Sequence, residues 1–214
     1  MRGIITVRRY HLDVATPEFP KRDPADPSFW DLRYEARFAP WDAGRVPSRL
    51  REFVEASSKP LRALVPGCGS AWDVRYLAER GWNVTGLDFS AEAVAAARAV
   101  LGPLGDRVAQ GDVFAPIASE PFEVVYERAF LCALPRRMWP DWSERMASLV
   151  QRGGVLAGFF FFDEGVRGPP FPLHSQHELD DLLVASFERI EDLDVSDSIP
   201  VFAGKERWQR WRRR

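Results

Sequence analysis

Leu64-Val65-Pro66-Gly67-Cys68-Gly69-Ser70, followed further along the chain by Gly86-Leu87-Asp88-Phe89-Ser90, is the stretch on which the fold is read. The run Leu61-Arg62-Ala63-Leu64-Val65 is strand-like and opens into a glycine loop. Glycines there let backbone approach a ligand closely. A second strand-like run, Trp82 to Leu87, ends at Asp88, about twenty residues beyond the loop, where a carboxylate can accept hydrogen bonds from both hydroxyls of a ribose. Loop and acid together describe a nucleoside-binding crevice at the ends of two neighbouring parallel strands. The competing reading is purely structural, with Gly67 and Gly69 in a tight turn and Asp88 at a helix entry.

Outward from this pair, strand-like and helix-like segments alternate. Between the two halves Val74, Leu77 and Ala78 give Trp72 to Arg80 one apolar face. After Asp88, Ser90 is placed to cap a helix, Glu92 suits the positive end of its dipole, and Ala93, Ala97 and Val100 face the sheet. Further strands are expected at Arg107 to Gln110, Phe122 to Tyr126 and Val155 to Phe162. A helix between the last two carries Trp139, Trp142, Met146 and Leu149 on one face, and Gly153-Gly154 is expected to stop it. Leu179, Leu182 and Leu183 mark another helix, before closing strands near Phe187 to Leu193 and Glu206 to Trp211. Repeated β-α-β units predict an α/β protein with a largely parallel sheet covered by helices on both faces.

The N-terminal region reads differently. Four prolines between Pro17 and Pro27 disfavour any regular element, so Met1 to Ser28 is expected to be a poorly ordered arm, with one domain over 29–214. From Phe29 to Val54 the spacing predicts two short helices around an ordered loop, Pro40-Trp41-Asp42-Ala43-Gly44.

Composition bounds the class. The 214 residues are 46% hydrophobic, enough for a sizeable core without disulfides or metal. With 28% charged residues the formal net charge is only −2, so nothing global favours a polyanion partner. Cys68 and Cys132 are the only cysteines and neither sits in a ligand-like cluster, which fits a reducing compartment. No apolar run reaches the ~20 residues of a membrane span and the N-terminus has no signal-peptide pattern, so a cytoplasmic protein is expected, with no membrane or nucleic-acid partner, as a monomer or weak homodimer. His174 and His177 form a poor metal signal and read as solvated loop histidines, with no metal expected. The tail Arg207-Trp208-Gln209-Arg210-Trp211-Arg212-Arg213-Arg214 interleaves basic and aromatic residues as single-strand binders do, but its confinement to the chain end favours a solvated strand end.

Which nucleoside enters the crevice turns on Trp72. A dinucleotide site needs a small residue there so that the helix can pack beside the pyrophosphate, and an indole counts against NAD. S-adenosylmethionine has no phosphate to cradle. Gly111-Asp112-Val113-Phe114 adds a polar and apolar pair suited to an adenine edge and face. Trp41 offers an aromatic face that attracts a sulfonium by ~0.5 to 2 kcal/mol, against an ordinary core role among eight tryptophans. Arg128, ending a strand, offers a fork matched to a carboxylate, against a surface salt bridge to Glu127 or Glu123.

The sequence resembles the thiopurine S-methyltransferase family, which is similar in turn to the plant halide and thiol methyltransferases. The matching segments are Phe29-Trp30, Pro40 to Gly44, Val65 to Ser70, Gly86 to Ser90, Gly111 to Phe114, Tyr126-Glu127-Arg128 through Pro135, Gly168-Pro169-Pro170-Phe171 and Gly204-Lys205-Glu206. Ala71-Trp72 departs from the Gly-Tyr of many bacterial relatives. The resemblance implies a Rossmann-like class I methyltransferase fold, with seven strands and an N-terminal helical cap over 29–56 that closes on S-adenosylmethionine. It implies a cofactor site formed by Trp30, Tyr34 and Trp41 of the cap, Gly67, Cys68 and Gly69 of the loop, Asp88 with Phe89 and Ser90, the pair Asp112 and Val113, and Arg128. Trp41 would border the methyl acceptor as well.

The expected function is in-line methyl transfer to a small soft nucleophile: a thiol, thiopurine, halide or selenium or tellurium species. Such acceptors need little proton removal near neutral pH, so no catalytic acid or base is assigned. An acceptor through oxygen or nitrogen, and a module that binds S-adenosylmethionine without turnover, are the alternatives.

Overall fold

The computed structural model describes residues 17–117, 120–165 and 167–214. Its centre is one seven-stranded sheet in the order β3-β2-β1-β4-β5-β7-β6. β1 (Arg62–Pro66), β2 (Asn83–Asp88), β3 (Val108–Gln110), β4 (Phe122–Arg128) and β5 (Val150–Phe161) run parallel, while β7 (Glu206–Arg213) is antiparallel to both β5 and β6 (Phe187–Asp194). The chain reverses direction across the sheet between β1 and β4, so the crevice opens at the C-terminal tips of β1, β2 and β4. Open α/β sheets bind ligands at such a switch point.

Strand alternation splits the core into two layers. Ala63, Val65, Val124 and Tyr126 point to one face, where they meet Val74 and Leu77 of α3 (Trp72–Glu79) and Ala97 of α4 (Ala91–Leu101). Leu64, Val125 and Leu156 point to the other, against Trp142 and Met146 of α5 (Trp139–Leu149) and Leu179 and Leu183 of α6 (Gln176–Leu183). Burying one such Leu or Met contributes about 1.5–3 kcal/mol, so each helix is held mainly by its sheet-facing stripe. The expected α5 face is seen intact, with Trp139, Trp142, Met146 and Leu149 all buried. Ser90 caps α4 by accepting from the Ala93 amide at 3.1 Å.

Two expectations about the C-terminal half are corrected. Gly153 and Gly154 do not stop a helix: α5 ends at Leu149 and β5 begins at Val150, with both glycines inside the strand. Gly153 has φ +77°, a side chain on Gly154 would approach the Glu123 carbonyl oxygen at 2.8 Å, and the β4–β5 register shifts between Phe122 and Val124. The glycines therefore form an irregularity in a long strand. Nor is the basic, aromatic tail a solvated strand end. It is β7, paired on both sides, with Trp208 buried in one core layer and Trp211 in the other. Three residues apart on a strand covered on both sides, the two indoles point to opposite faces, so a one-sided polar pattern does not reveal them.

The N-terminal cap forms α1 (Pro27–Glu35) and α2 (Ser48–Glu55) around a loop. Met1 to Thr16, part of the expected arm, lie outside the described residues. Pro17 to Asp26 have no regular element, but they follow a defined course: the Pro24 carbonyl accepts from Trp30 Nε1 at 2.8 Å, and Phe19 packs on Phe38. The helix begins at Pro27, inside the expected arm, because proline has its φ preset for a first helical position and the Asp26 carboxylate accepts from the Ser28 amide at 2.9 Å. α1 packs against α4, and α2 is tied to the far end of the chain: Asp197 accepts from the Ser48 amide at 2.8 Å and pairs with Arg45. Among the described residues no helix is long and apolar enough to cross a membrane.

Candidate cofactor and acceptor site

A cavity of about 490 Å³ sits at the strand tips. That volume suits a drug-sized ligand. Its floor is the glycine loop. Gly67, Cys68 and Gly69 line it, and Asp88 and Phe89 at the end of β2 stand beside them. The two halves are locked together, since the Cys68 amide donates to the Leu87 carbonyl at 3.2 Å and the Gly69 amide to Asp88 Oδ2 at 3.0 Å. Asp88 Oδ1 accepts from the Ser90 amide at 3.0 Å. A carboxylate has about four acceptor positions, so Asp88 keeps capacity for a ligand's hydroxyls. Burial pushes its carboxyl up to about 6, with the Gly69 and Ser90 amides pulling it back down.

The glycines prove necessary for a reason beyond ligand approach. Gly67 has φ +57°, and a Cβ there would meet the Phe130 ring at 2.5 Å; Gly69 has φ +51°, and a Cβ would meet the Tyr34 hydroxyl at 2.7 Å. Both side chains that press on the loop come from other elements, Phe130 from the turn after β4 and Tyr34 from α1. Ala71, the residue entering α3, is also left-handed at φ +61°, a conformation that favours glycine.

The cap supplies the roof. Trp30, Tyr34 and Trp41 line the cavity, with the Trp41 ring edge-on to Trp30 at 5.4 Å and to Tyr34 at 6.1 Å. Trp41 is half-buried and does not enter either main core layer. Asp112 and Val113, after β3, line another wall. Asp112 is exposed and turns the chain by accepting from the Phe114 amide at 2.9 Å, while Arg145 of α5 holds the Val113 and Ala115 carbonyls.

Arg128 lines the cavity at the tip of β4, yet its partner is neither Glu127 nor Glu123. It pairs with Glu206 of β7 at 2.7 Å and stacks over Phe159 at 4.3 Å. Glu123 instead pairs with Lys59, and Glu127 accepts from the Phe130 and Leu131 amides at 2.8 and 3.0 Å. Glu127 thereby fixes the turn that carries Ala129, at φ +57°, and Phe130. Of the expected site residues, Ser90 alone stands outside the cavity wall. Its hydroxyl donates to Asp31 at 2.6 Å, so it joins α4 to α1 rather than facing a ligand. A helix cap and a ligand contact look alike in sequence, since both call for a small hydroxyl after a strand.

Several wall residues were not legible. Asp73 of α3 and Phe202, far along the chain, both line the cavity, as do Pro169 and Pro170 of the loop after β5. Asp73 reads in sequence as an acid favoured by a helix start. His174 and His177 are exposed and distant in role, His177 lying beside Asp181 on α6. The thiols of Cys68 and Cys132 are both pushed up by burial and stay neutral.

Sheet order, antiparallel seventh strand, glycine loop and acidic strand tip together define a Rossmann-like class I methyltransferase. The family model for thiopurine S-methyltransferase matches residues 25–214. Thiocyanate methyltransferase 1 of Arabidopsis thaliana is 32% identical over 190 residues, covering 86% of this chain and 84% of the relative. Thiopurine S-methyltransferase of Photobacterium profundum is 31% identical over 169 residues, covering 70% and 79%. The chain belongs to the thiopurine S-methyltransferase family. Among solved structures, the 1,6-didemethyltoxoflavin-N1-methyltransferase of Burkholderia thailandensis, determined with 1,6-didemethyltoxoflavin and S-adenosylhomocysteine bound, shares the fold with a TM-score of 0.68 at 18% identity, over 92% of this chain and 93% of that one.

Proposed function

We propose that this chain transfers a methyl group from S-adenosylmethionine to a small, soft nucleophile such as a thiol, thiopurine, halide or selenium or tellurium anion. The observation that carries the reading is the continuity of one cavity, from the buried Asp88 beside the glycine loop to the apolar space under Trp41, Phe202 and Pro170. Family membership supports methyl transfer, and the names of the Arabidopsis and Photobacterium relatives support a soft acceptor.

S-adenosylmethionine, when bound, supplies an electrophilic methyl group on a sulfonium. Asp88 would hold the ribose hydroxyls, with Phe89, Asp112 and Val113 around the adenine and Arg128 on the carboxylate. The glycine loop, locked by the Cys68 amide on the Leu87 carbonyl and the Gly69 amide on the Asp88 carboxylate, fixes the floor before any ligand arrives. Trp30, Tyr34 and Trp41 of the cap, residues 29–56, exclude water and set the line of approach. Trp41 is the residue shared by cofactor and acceptor. Positioning of this kind can account for most of the rate of an in-line displacement, because a halide or other soft anion needs no proton removed and a thiol of low pKa needs little help to lose one. The neutral Cys68 and Cys132 fit a direct transfer without a covalent protein intermediate. We place the activity in the cytoplasm, a setting supported by these two free thiols.

The test is incubation with methyl-labelled S-adenosylmethionine and a panel of thiols, thiopurines, halides and selenium or tellurium anions, alongside oxygen and nitrogen acceptors. Label should pass to one or more of the soft acceptors. Transfer to none of them, by folded protein that binds the cofactor, would overturn the assignment.

A further inference from the structure

Beneath the apolar end of the cavity lies a small core of its own. Cys132, Phe161, Ile199 and Phe202 form a buried cluster separate from both sheet layers, with Trp41, Ala43 and Ala129 packed against it. Trp41 and Ala43 come from the cap loop, Ile199 and Phe202 from the connection between β6 and β7, and of these Trp41, Ala43 and Phe202 line the cavity. Neither segment is a strand, so no ladder of backbone bonds sets the distance between them.

Asp197, two residues before Ile199, joins the two. Its Oδ2 accepts from the Ser48 amide at 2.8 Å and from Arg45 Nη1 at 3.1 Å, its Oδ1 accepts from the Ser48 hydroxyl at 3.0 Å, and its carbonyl accepts from Arg45 Nη2 at 2.7 Å. The local sequence explains why the cap needs this carboxylate. Pro47, which precedes α2, offers no side-chain acceptor to the unpaired amides of the helix start. An acid from the far end of the chain takes that place, favoured by the positive end of the helix dipole and by its charge-assisted bond to Arg45. Arg45 itself lines the cavity, two residues beyond Ala43.

We propose that Asp197 is a positioning residue for the methyl acceptor: by fastening Ser48 and Arg45 it fixes the gap between Trp41 and Ala43 on the cap and Phe202 across from them. This rests on the methyl-transfer reading and adds to it a residue outside the cavity wall. A misplacement of about 1 Å caused far from the chemistry can cost ~100-fold in rate. Asp88 and the glycine loop make none of these bonds, so the cofactor seat is indifferent to them. The competing role for Asp197 is that of a helix cap alone, which would affect stability and leave acceptor binding as it was.

Initial rates of wild type and Asp197→Asn with a soft acceptor that wild type methylates, thiophenol in the first instance, separate these roles when set beside calorimetry with S-adenosylhomocysteine. The variant is expected to raise the acceptor KM at least threefold and to bind S-adenosylhomocysteine within twofold of wild type. A smaller rise in KM, or an equal loss for both ligands, would overturn the proposal, whatever happens to thermal stability. Should the variant not fold, Ser48→Ala removes one bond to the same carboxylate without altering a cavity residue. An acceptor KM at least doubled, with cofactor affinity kept, then supports Asp197, and anything less sinks it. Wild type that passes a methyl group to no soft acceptor would bring down the proposed function, and this assignment with it.

Discussion

The two ends of the cavity are built in opposite ways. At the end proposed for the cofactor, Gly67 to Gly69 and Asp88 sit at the tips of adjacent parallel strands, with Val65 paired to Gly86 and Pro66 to Leu87, and loop amides donate to the Leu87 carbonyl and the Asp88 carboxylate. At the end proposed for the acceptor, the wall is assembled from Trp41 near the N-terminus, Cys132 after β4, Pro169 and Pro170 after β5 and Phe202 before β7. The first is one rigid construction of the sheet. The second is a meeting of loops, held by contacts such as Asp197 on the start of α2. Binding of a common cofactor belongs on rigid elements and choice of acceptor on variable ones, as in other enzymes that carry their chemistry on loops over a scaffold.

The sharpest way to break this contrast is at Asp88. Asp88→Ala removes both the ribose acceptor and the anchor of the Gly69 amide, and cofactor affinity should fall by about 1.5–3 kcal/mol, or roughly 10- to 150-fold. Calorimetry on the folded variant checks it, and unchanged affinity would remove the acid from the site.

Protonation provides a graded version of the same test. Burial holds Asp73 and Asp88 up at about 6 and Glu127 at about 7, so the folded chain retains protons where the unfolded chain has shed them. A raised folded pKa gives stability that is full at low pH and lost as pH rises through it. The free protein should therefore gain thermal stability as pH falls from 7 toward 5. Glu123 and Asp197, whose pKa values are lowered, oppose this only at still lower pH. Cofactor binding should move the other way, weakening about tenfold per unit once pH drops below 6, because a protonated Asp88 no longer accepts from both hydroxyls. Ligand-free and ligand-bound melting curves across this range show whether the trends diverge.

Under the acceptor part of the cavity, Trp41→Leu should raise the acceptor KM several-fold while moving cofactor affinity only about twofold, the ~0.5 kcal/mol of a partly exposed aromatic face. Initial rates with each substrate varied in turn distinguish the two. Equal effects on both would mean that Trp41 serves the cofactor alone. The smallest effect is expected at the junction of the loop with α3. Ala71→Gly relieves the left-handed strain at φ +61° but gives the unfolded chain more freedom, so stability should rise by less than about 1 kcal/mol in a urea melt.

Much of this molecule is written locally. The continuous apolar runs of β1 and β4, the α5 stripe and the Ser90 cap follow from residue order, since each depends on neighbours within a turn or a pleat. Eleven of the twelve expected site residues line the cavity: eight because their motifs end strands whose tips the parallel topology gathers, and Trp30, Tyr34 and Trp41 because α1 and the loop after it lie over those tips. Ser90 stands off the cavity wall, its hydroxyl engaged by Asp31 and the Ala93 amide, because a cap and a ligand contact call for the same residue type. The glycine pair at Gly153 misled because a helix stop and a strand irregularity use the same residue.

What order along the chain determined, then, is the layered α/β sheet, the nucleoside crevice and the residue types that floor it. Only tertiary structure decided that Arg128 would pair with Glu206 and that Trp208 and Trp211 would be buried in opposite core layers on a strand inserted between β5 and β6. The physical reason is range. Backbone geometry and side-chain periodicity act over a few residues, whereas an ion pair or the burial of an indole depends on which distant segments the packed sheet brings together.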